Sequence, residues 1–202
     1  MKATTILSDE HRVIEIVLSC LEKMTERALA EGELEREPAE EAVDFIRNFA
    51  DRCHHSKEEG QLFPAIQMKG LPAEGGPVAV MLAEHEEGRR YVASMAQAID
   101  SAANGDRQAL EHFSRNARNY ISLLRAHIAK EDQILFPLAD RVMNESDQAE
   151  VLKAFDSVEH EHMGDGTHER YLKTAQNLAH RYGISTEPVD GAPAHGSDRD
   201  GH

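Results

Sequence analysis

Tryptophan is absent from this chain of 202 residues, and its aromatic rings are confined to six Phe and four Tyr. Cysteine is nearly absent too: Cys20 and Cys53 are too few for a disulfide framework. Cations are scarce, with 22 Lys and Arg against 37 Asp and Glu, for a formal net charge of -15. Binding a phosphate backbone or an anionic bilayer depends on Lys and Arg displacing counterions, so this balance argues against nucleic acid and membrane as partners. Long apolar runs are missing as well. The longest, residues 14–21, is interrupted by Glu15 and Ser19 and falls far short of the roughly 20 residues that span a bilayer. The opening MKATTILSDE lacks the apolar stretch of a signal peptide, which makes the cytoplasm the expected compartment. With 40% hydrophobic residues the chain can bury a core, and its length suits one domain plus some tail.

What the chain has in excess is histidine, 12 in all. Apolar periodicity is helical nearly throughout, and no alternating run of β-branched residues supports a strand. The expected fold is all-α. A first helix from about Thr5 to Glu31 carries Leu7, His11, Ile14, Leu18 and Leu21 on one stripe. A second, starting near Pro38, carries Val43, Ile46, Ala50, His54, Glu58 and Leu62. The Gly- and Pro-rich stretch 68–77 separates it from a third, with Val78, Met81, His85, Val92, Met95 and Ile99 inward. A fourth, capped by Asp106, reads Leu110, Phe113, Ala117, Tyr120, Leu124, His127, Glu131, Ile134 and Leu138. Four amphipathic helices on short connections predict an up-and-down antiparallel four-helix bundle over residues 1–142. Residues 143–182 predict an additional C-terminal helix packing on the bundle, bent or broken at Gly164 and Gly166. Residues 183–202, rich in Gly, Pro and Asp, predict a disordered tail in which His195 and His202 have no role.

The histidines belong to an internal repeat. HHSKEEGQLFP from His54 and HIAKEDQILFP from His127 align without a gap, and DEH ending at His11 matches AEH ending at His85. Each half therefore supplies one histidine and then H-x-x-x-E. Residues four apart sit one turn apart on a helix face, about 6 Å between them, so a histidine and a carboxylate can address one metal centre. One inward histidine is more often a hydrogen-bonded core residue than a ligand, and KEE or KED alone reads as a helix-surface string. Four imidazoles and two carboxylates buried together are a different matter, because buried charges are normally paired or metal-bound and no Lys or Arg repeats on that face.

The candidate ligands are therefore His11, His54, Glu58, His85, His127 and Glu131. On a pair of octahedral ions, two bridging carboxylates, four histidines and a bridging oxo or hydroxo leave two positions open. Mixed imidazole and carboxylate ligation with room for an outside ligand suits two iron ions, with manganese as the nearest substitute.

This constellation resembles the hemerythrin-like (HHE cation-binding) family, over about residues 5–142. The resemblance implies a non-heme di-iron centre in an up-and-down bundle, with His11 and His54 on one iron, His85 and His127 on the other, and Glu58 and Glu131 bridging. Oxygen-carrying members have a further histidine one turn after the third-helix ligand, where this sequence has Arg89. A replacement is sought in His55, next to His54, or in the segment VEHEHMGDGTHERY, where Glu159 and His162 follow the inward stripe beside His160, Glu161 and His168. Tyr120 is expected to hydrogen-bond near the site.

The resemblance further implies that the protein binds or reduces O2, H2O2 or NO in oxidative or nitrosative stress. Its partners are then a small diatomic or peroxide ligand, and a peroxidase, catalase-like or NO-reducing activity follows from the same centre. Reversible O2 carriage is less favoured, because the five-histidine set is incomplete unless His55 serves. The alternatives are an iron sensor or iron donor of the iron-sulfur repair type, and a structural metal bundle that binds a partner. Oligomeric state is not readable from the sequence. Cys20 and Cys53 read as buried helix residues.

Overall fold

A computed structural model describes residues 1–162 and 166–186, except for the side chains of 159–162. Among the described residues every regular element is a helix. They form six continuous helices: α1 (Ala3–Glu31), α2 (residues 36–68), α3 (Pro77–Ala103), α4 (residues 107–142), α5 (Glu145–His162) and α6 (Thr167–Tyr182). None is long and apolar enough to cross a membrane.

Local chemistry sets the helix ends. Gly32, at φ 81°, takes the left-handed conformation that stops α1, and its N–H returns to the Ala28 carbonyl. Asp106 caps α4, its carboxylate accepting from the Gln108 and Ala109 N–H groups at 2.9 and 3.2 Å. Pro77 opens α3 at the first helical position, where no N–H is needed. The turn before it requires glycine: a Cβ on Gly76 would lie 2.6 Å from Pro72 Cγ. Helix α2 starts at Arg36, two residues earlier than the sequence suggests, with Pro38 inside its first turn.

Two helices change their winding beside the histidines. In α2, Ile46–His55 and Glu58–Leu62 are π-wound, and in α4 so is Glu131–Leu135. In an α-helix each four-residue step overshoots a full turn by about 40°. The wider π turn cancels that drift and keeps Ile46, Ala50, His54, Glu58 and Leu62 on one buried face. The same device corrects the expected stripe of α4. After Glu131 the inward positions are Leu135 and Ala139; Ile134 is 58% exposed and Leu138 only half-buried.

Helices α3 and α4 share the largest contact, α1 packs on α4 and α6, and α2 packs on α3 and α6. The core is divided into two apolar clusters. One is built on Leu18, Leu21, Phe45, Phe49, Met95, Phe113 and Leu124 and takes in Tyr171 and Leu178 of α6. The other is built on Leu7, Leu62, Phe63, Met81, Leu135 and Phe136 and takes in Val151 and Phe155 of α5. The C-terminal segment thus forms two helices rather than one bent helix. Gly166, at φ 76°, precedes α6; Gly164 and residues 187–202 lie outside the described residues. Tyr171 donates to Asp44 and Tyr182 to Glu35, both at 3.0 Å, fastening α6 to the base of α2.

Candidate metal centre

Between the two apolar clusters lies a layer of buried polar groups. His11, His54, Glu58, His85, His127 and Glu131 are each at most 1% exposed. They arrive from α1, α2, α3 and α4, one H-x-x-x-E set from α2 and one from α4. Ligand-type atoms of His11, His54, Glu58 and Glu131 all lie within 4.8 Å of one another, and so do those of His55, Glu58, His85 and His127. All six repeated residues come together, with Glu58 in both groups. His55 joins the second.

The imidazoles are aimed by carboxylates behind them. His11 Nδ1 meets Asp132 at 2.9 Å, His54 Nδ1 meets Glu10 at 2.9 Å, His85 Nδ1 meets Glu59 at 2.7 Å and His127 Nδ1 meets Glu84 at 2.9 Å. His55 Nδ1 lies 3.3 Å from Asp51. A carboxylate on Nδ1 fixes that nitrogen as the donor and leaves Nε2 with its lone pair directed inward, the arrangement typical of metal-binding histidine. Each outer carboxylate is itself held by a cation. Lys57 reaches Glu10 at 2.5 Å, Arg12 pairs with Asp132, Lys130 with Glu84, and Arg89 with both Glu59 at 2.7 Å and Asp51 at 2.9 Å. Phe136 stacks on His11 at 5.4 Å and Phe63 on His85 at 6.1 Å, so the phenylalanine of each LFP packs against an imidazole.

The inner atoms fit a cation. His11 Nε2 and all four carboxylate oxygens of Glu58 and Glu131 are buried and make no hydrogen bond within the protein. Orphaned buried acceptors on this scale are costly unless a positive charge sits among them. His85 Nε2 and His127 Nε2 are 3.0 Å apart; with both Nδ1 atoms donating outward, a shared proton or a bound cation must lie between the two nitrogens. Glu58 Oε2 lies 3.5 Å from His85 Nε2, and Glu131 Oε2 lies 3.3 Å from both His11 Nε2 and His127 Nε2.

Protonation follows the same geometry. Burial, and then the charge of Glu131, push the Glu58 carboxyl well above its usual range. Glu131 also suffers burial, but His127 and His11 outweigh it and hold this carboxyl down. Burial drives His54 down to about 4 and His55 well below the ordinary value. His11, although buried, is raised to about 9 by Asp132 and Glu131. Burial opposes a charge on His127 too, but Glu131 and Glu84 raise it, so Glu131 draws positive charge onto His11 and His127. Two carboxylates that cannot both ionise unaided, among imidazoles whose protons a cation can replace, form a donor set for metal.

The outer ring escaped the sequence reading, although the repeat contains it. Glu10 and Glu84 are the acids of the two EH pairs, and Glu59 and Asp132 the last residues of KEE and KED. KEE is not a surface string: Lys57 and Glu58 are fully buried. A lysine does repeat, as Lys57 and Lys130, behind the imidazoles rather than on the inner face. Tyr120 is 2% exposed but makes no hydrogen bond among the described residues, contrary to expectation; burial pushes its hydroxyl pKa up. Glu159, His160, Glu161 and His162 have side chains outside the described residues. His168 lies apart from the inner groups, gathered with Glu10 and Cys53. Cys20 and Cys53 are buried as expected, and burial pushes the Cys20 thiol up to about 12.

Three mycobacterial proteins are similar to the chain. The uncharacterized protein Rv1995 of Mycobacterium tuberculosis strain H37Rv is 24% identical over 178 residues, covering 88% of this chain and 69% of its own length. The uncharacterized proteins MT2051 of M. tuberculosis strain CDC 1551 and Mb2018 of Mycobacterium bovis match to the same extent. No solved structure matches. The hemerythrin HHE cation-binding domain matches residues 2–139, which span every helix that supplies the inner layer, and the chain belongs to that family.

Proposed function

We propose that this is a non-heme di-iron protein that binds or reduces O2, H2O2 or NO in oxidative or nitrosative stress. The observation that carries the reading is the pair of ligand groups sharing Glu58, with their inner nitrogen and oxygen atoms left unsatisfied by the protein. His11 and His54 would hold one iron and His85, His127 and His55 the other, with Glu58 and Glu131 supplying carboxylate oxygens to the pair. The four helices that carry these residues form an up-and-down antiparallel bundle over residues 1–142, with the C-terminal helices as an extension. Two irons, when bound, supply the electrons that such ligands accept; manganese is the substitute the donor set would tolerate. Zinc alone would not call for five imidazoles and two carboxylates.

The protein's own contribution is orientation, exclusion of water and control of protons. Five outer carboxylates keep each Nδ1 protonated and each Nε2 pointing inward. Phe63 and Phe136 wall the layer from one apolar cluster. The net negative charge disfavours nucleic acid and anionic membranes as partners, and the cytoplasm remains the proposed compartment. Metal analysis of purified protein, with optical spectra before and after H2O2, tests this reading. Two irons per chain and peroxide consumption with dithionite as reductant, faster than in the protein-free mixture, are expected. Iron that leaves readily without any peroxide consumption would replace the reading with an iron sensor or donor.

A further inference from the structure

A pocket of about 290 Å³ opens between α2, α3 and α4 and reaches His55 of the inner layer. That volume is many times a water's share of about 30 Å³ and lies at the small end of organic-ligand pockets, so it is not sized for a diatomic gas or peroxide. Its walls include Ile46, Val92 and Leu124, and exposed Ala93 lines its mouth. Tyr120 also lines it; the side chain is 2% exposed, yet its hydroxyl has no partner among the described residues. Asp51 and Glu84 supply carboxylates to the wall, and Glu84 is already held by His127 and Lys130. The half-buried Arg89 is already committed to Asp51, Glu59 and Glu86, while Arg47 is exposed at the rim. The guest that fits is therefore uncharged, flat enough for apolar walls, and carries a hydroxyl that can pair with Tyr120 and donate to Asp51. The pocket also adjoins the inner layer directly: the His55 ring at its floor stacks on His85 at 3.7 Å between centroids, 16° from parallel, so a guest's ring would lie one imidazole away from His85.

We infer that this pocket seats a single-ring hydroquinone-type reductant, the electron donor of the reaction, an assignment that rests on the peroxide-reducing reading above. The balance closes. The hydroquinone breaks two O–H bonds, forms two C=O bonds and gives up two electrons and two protons. H2O2 takes up both pairs as its O–O bond breaks, and two waters leave.

The test is calorimetric titration of the iron-loaded full chain with hydroquinone under anaerobic conditions, in wild type, Tyr120→Phe and Ala93→Trp. H2O2 consumption is followed in parallel with hydroquinone or with dithionite, each as the excess over the protein-free rate. Saturable one-to-one binding is expected, weakened about tenfold by loss of the Tyr120 hydroxyl and abolished by Trp at the mouth. Circular dichroism and iron content report whether each variant is folded and loaded. Absence of saturable binding in wild type, or equal binding in all three proteins, overturns the inference. Peroxide consumption with dithionite but not with hydroquinone overturns it while leaving the proposed function intact. Peroxide consumption with neither reductant removes both. A dimer that Ala93→Trp dissociates would make the pocket an interface between copies and also overturn the inference.

Discussion

Glu10 and Glu84 occupy equivalent places in the repeat but different surroundings, and neutralising each in turn separates metal binding from folding. Each accepts from a candidate ligand histidine and from a lysine: His54 and Lys57 for Glu10, His127 and Lys130 for Glu84. The Lys57 side chain is fully buried, whereas that of Lys130 is 37% exposed. Gln in place of either glutamate keeps the shape and removes the charge. At Glu10 this takes the counter-ion from a buried ammonium, which breaks a buried pair at a typical cost of 3–5 kcal/mol. Lys57 has other contacts, among them the Phe155 ring 5.8 Å away, so the lower end applies, about 3 kcal/mol. For a chain of this length that is a Tm drop of about 6–12 °C. At Glu84 the lysine is hydrated, the cost is under about 1 kcal/mol, and Tm falls by less than about 4 °C. Both variants loosen the orientation of an imidazole, so both lose metal affinity by about 10- to 100-fold. Thermal melts of metal-stripped protein and chelator competition of the loaded protein measure the two effects. Equal melting shifts in the two variants, or wild-type metal affinity in both, would refute the reasoning.

His54→Ala and His127→Ala should each lower bound iron, while His112→Ala and His180→Ala, both at exposed positions, should not; elemental analysis decides. Stripping metal should lower Tm, because Glu58 and Glu131 are left with unsatisfied buried oxygens; identical melts with and without chelator would contradict this. Partial burial disfavours the charged form of Glu35, but Arg181 and Tyr182 outweigh this and hold its pKa below the usual carboxylate value. Its folded pKa being depressed, the docking of α6 is strongest above about pH 4.5 and weakens as pH falls through the folded value. Hydrogen exchange over residues 167–182 should accelerate on acidification, and Glu35→Gln should flatten that dependence.

The helices were readable because their stripes are strongly periodic, and the inner layer because the same residues recur at the same spacing. What a 3.6-residue period does not show is a change of winding. The five positions from Ile46 to Leu62 are all four apart, a drift of about 40° per step that an α-helix would carry round to solvent. That series was the available sign of π winding in α2. In α4 no such series precedes Glu131, and a 3.6-residue stripe runs one residue out of register there, to Ile134 instead of Leu135. The outer carboxylates were hidden for a different reason: an acid beside a lysine on a helix normally faces water. Burial of Lys57 depends on Phe155 arriving from α5, and nothing near Lys57 in the sequence announces it.

The repeat is most informative where its halves disagree. The residue aligned with His55 is Ile128, buried at 2%, so only one half offers a second neighbouring imidazole. Arg89 stands where oxygen carriers of the family resemblance have a histidine, and a guanidinium cannot take that place as a ligand. Its fixed fork instead binds Asp51 and Glu59 together, the carboxylates behind His55 and His85, and so couples the aim of two imidazoles to one cation. Under the proposed ligand assignment the fifth imidazole has moved from α3 to α2, held there by the residue that displaced it. The His55 half then carries three imidazoles and adjoins the apolar pocket, while the His11 and His54 half carries two. On that same assignment an outside ligand would take the two-histidine side, and the pocket on the other side would be left to serve a different guest.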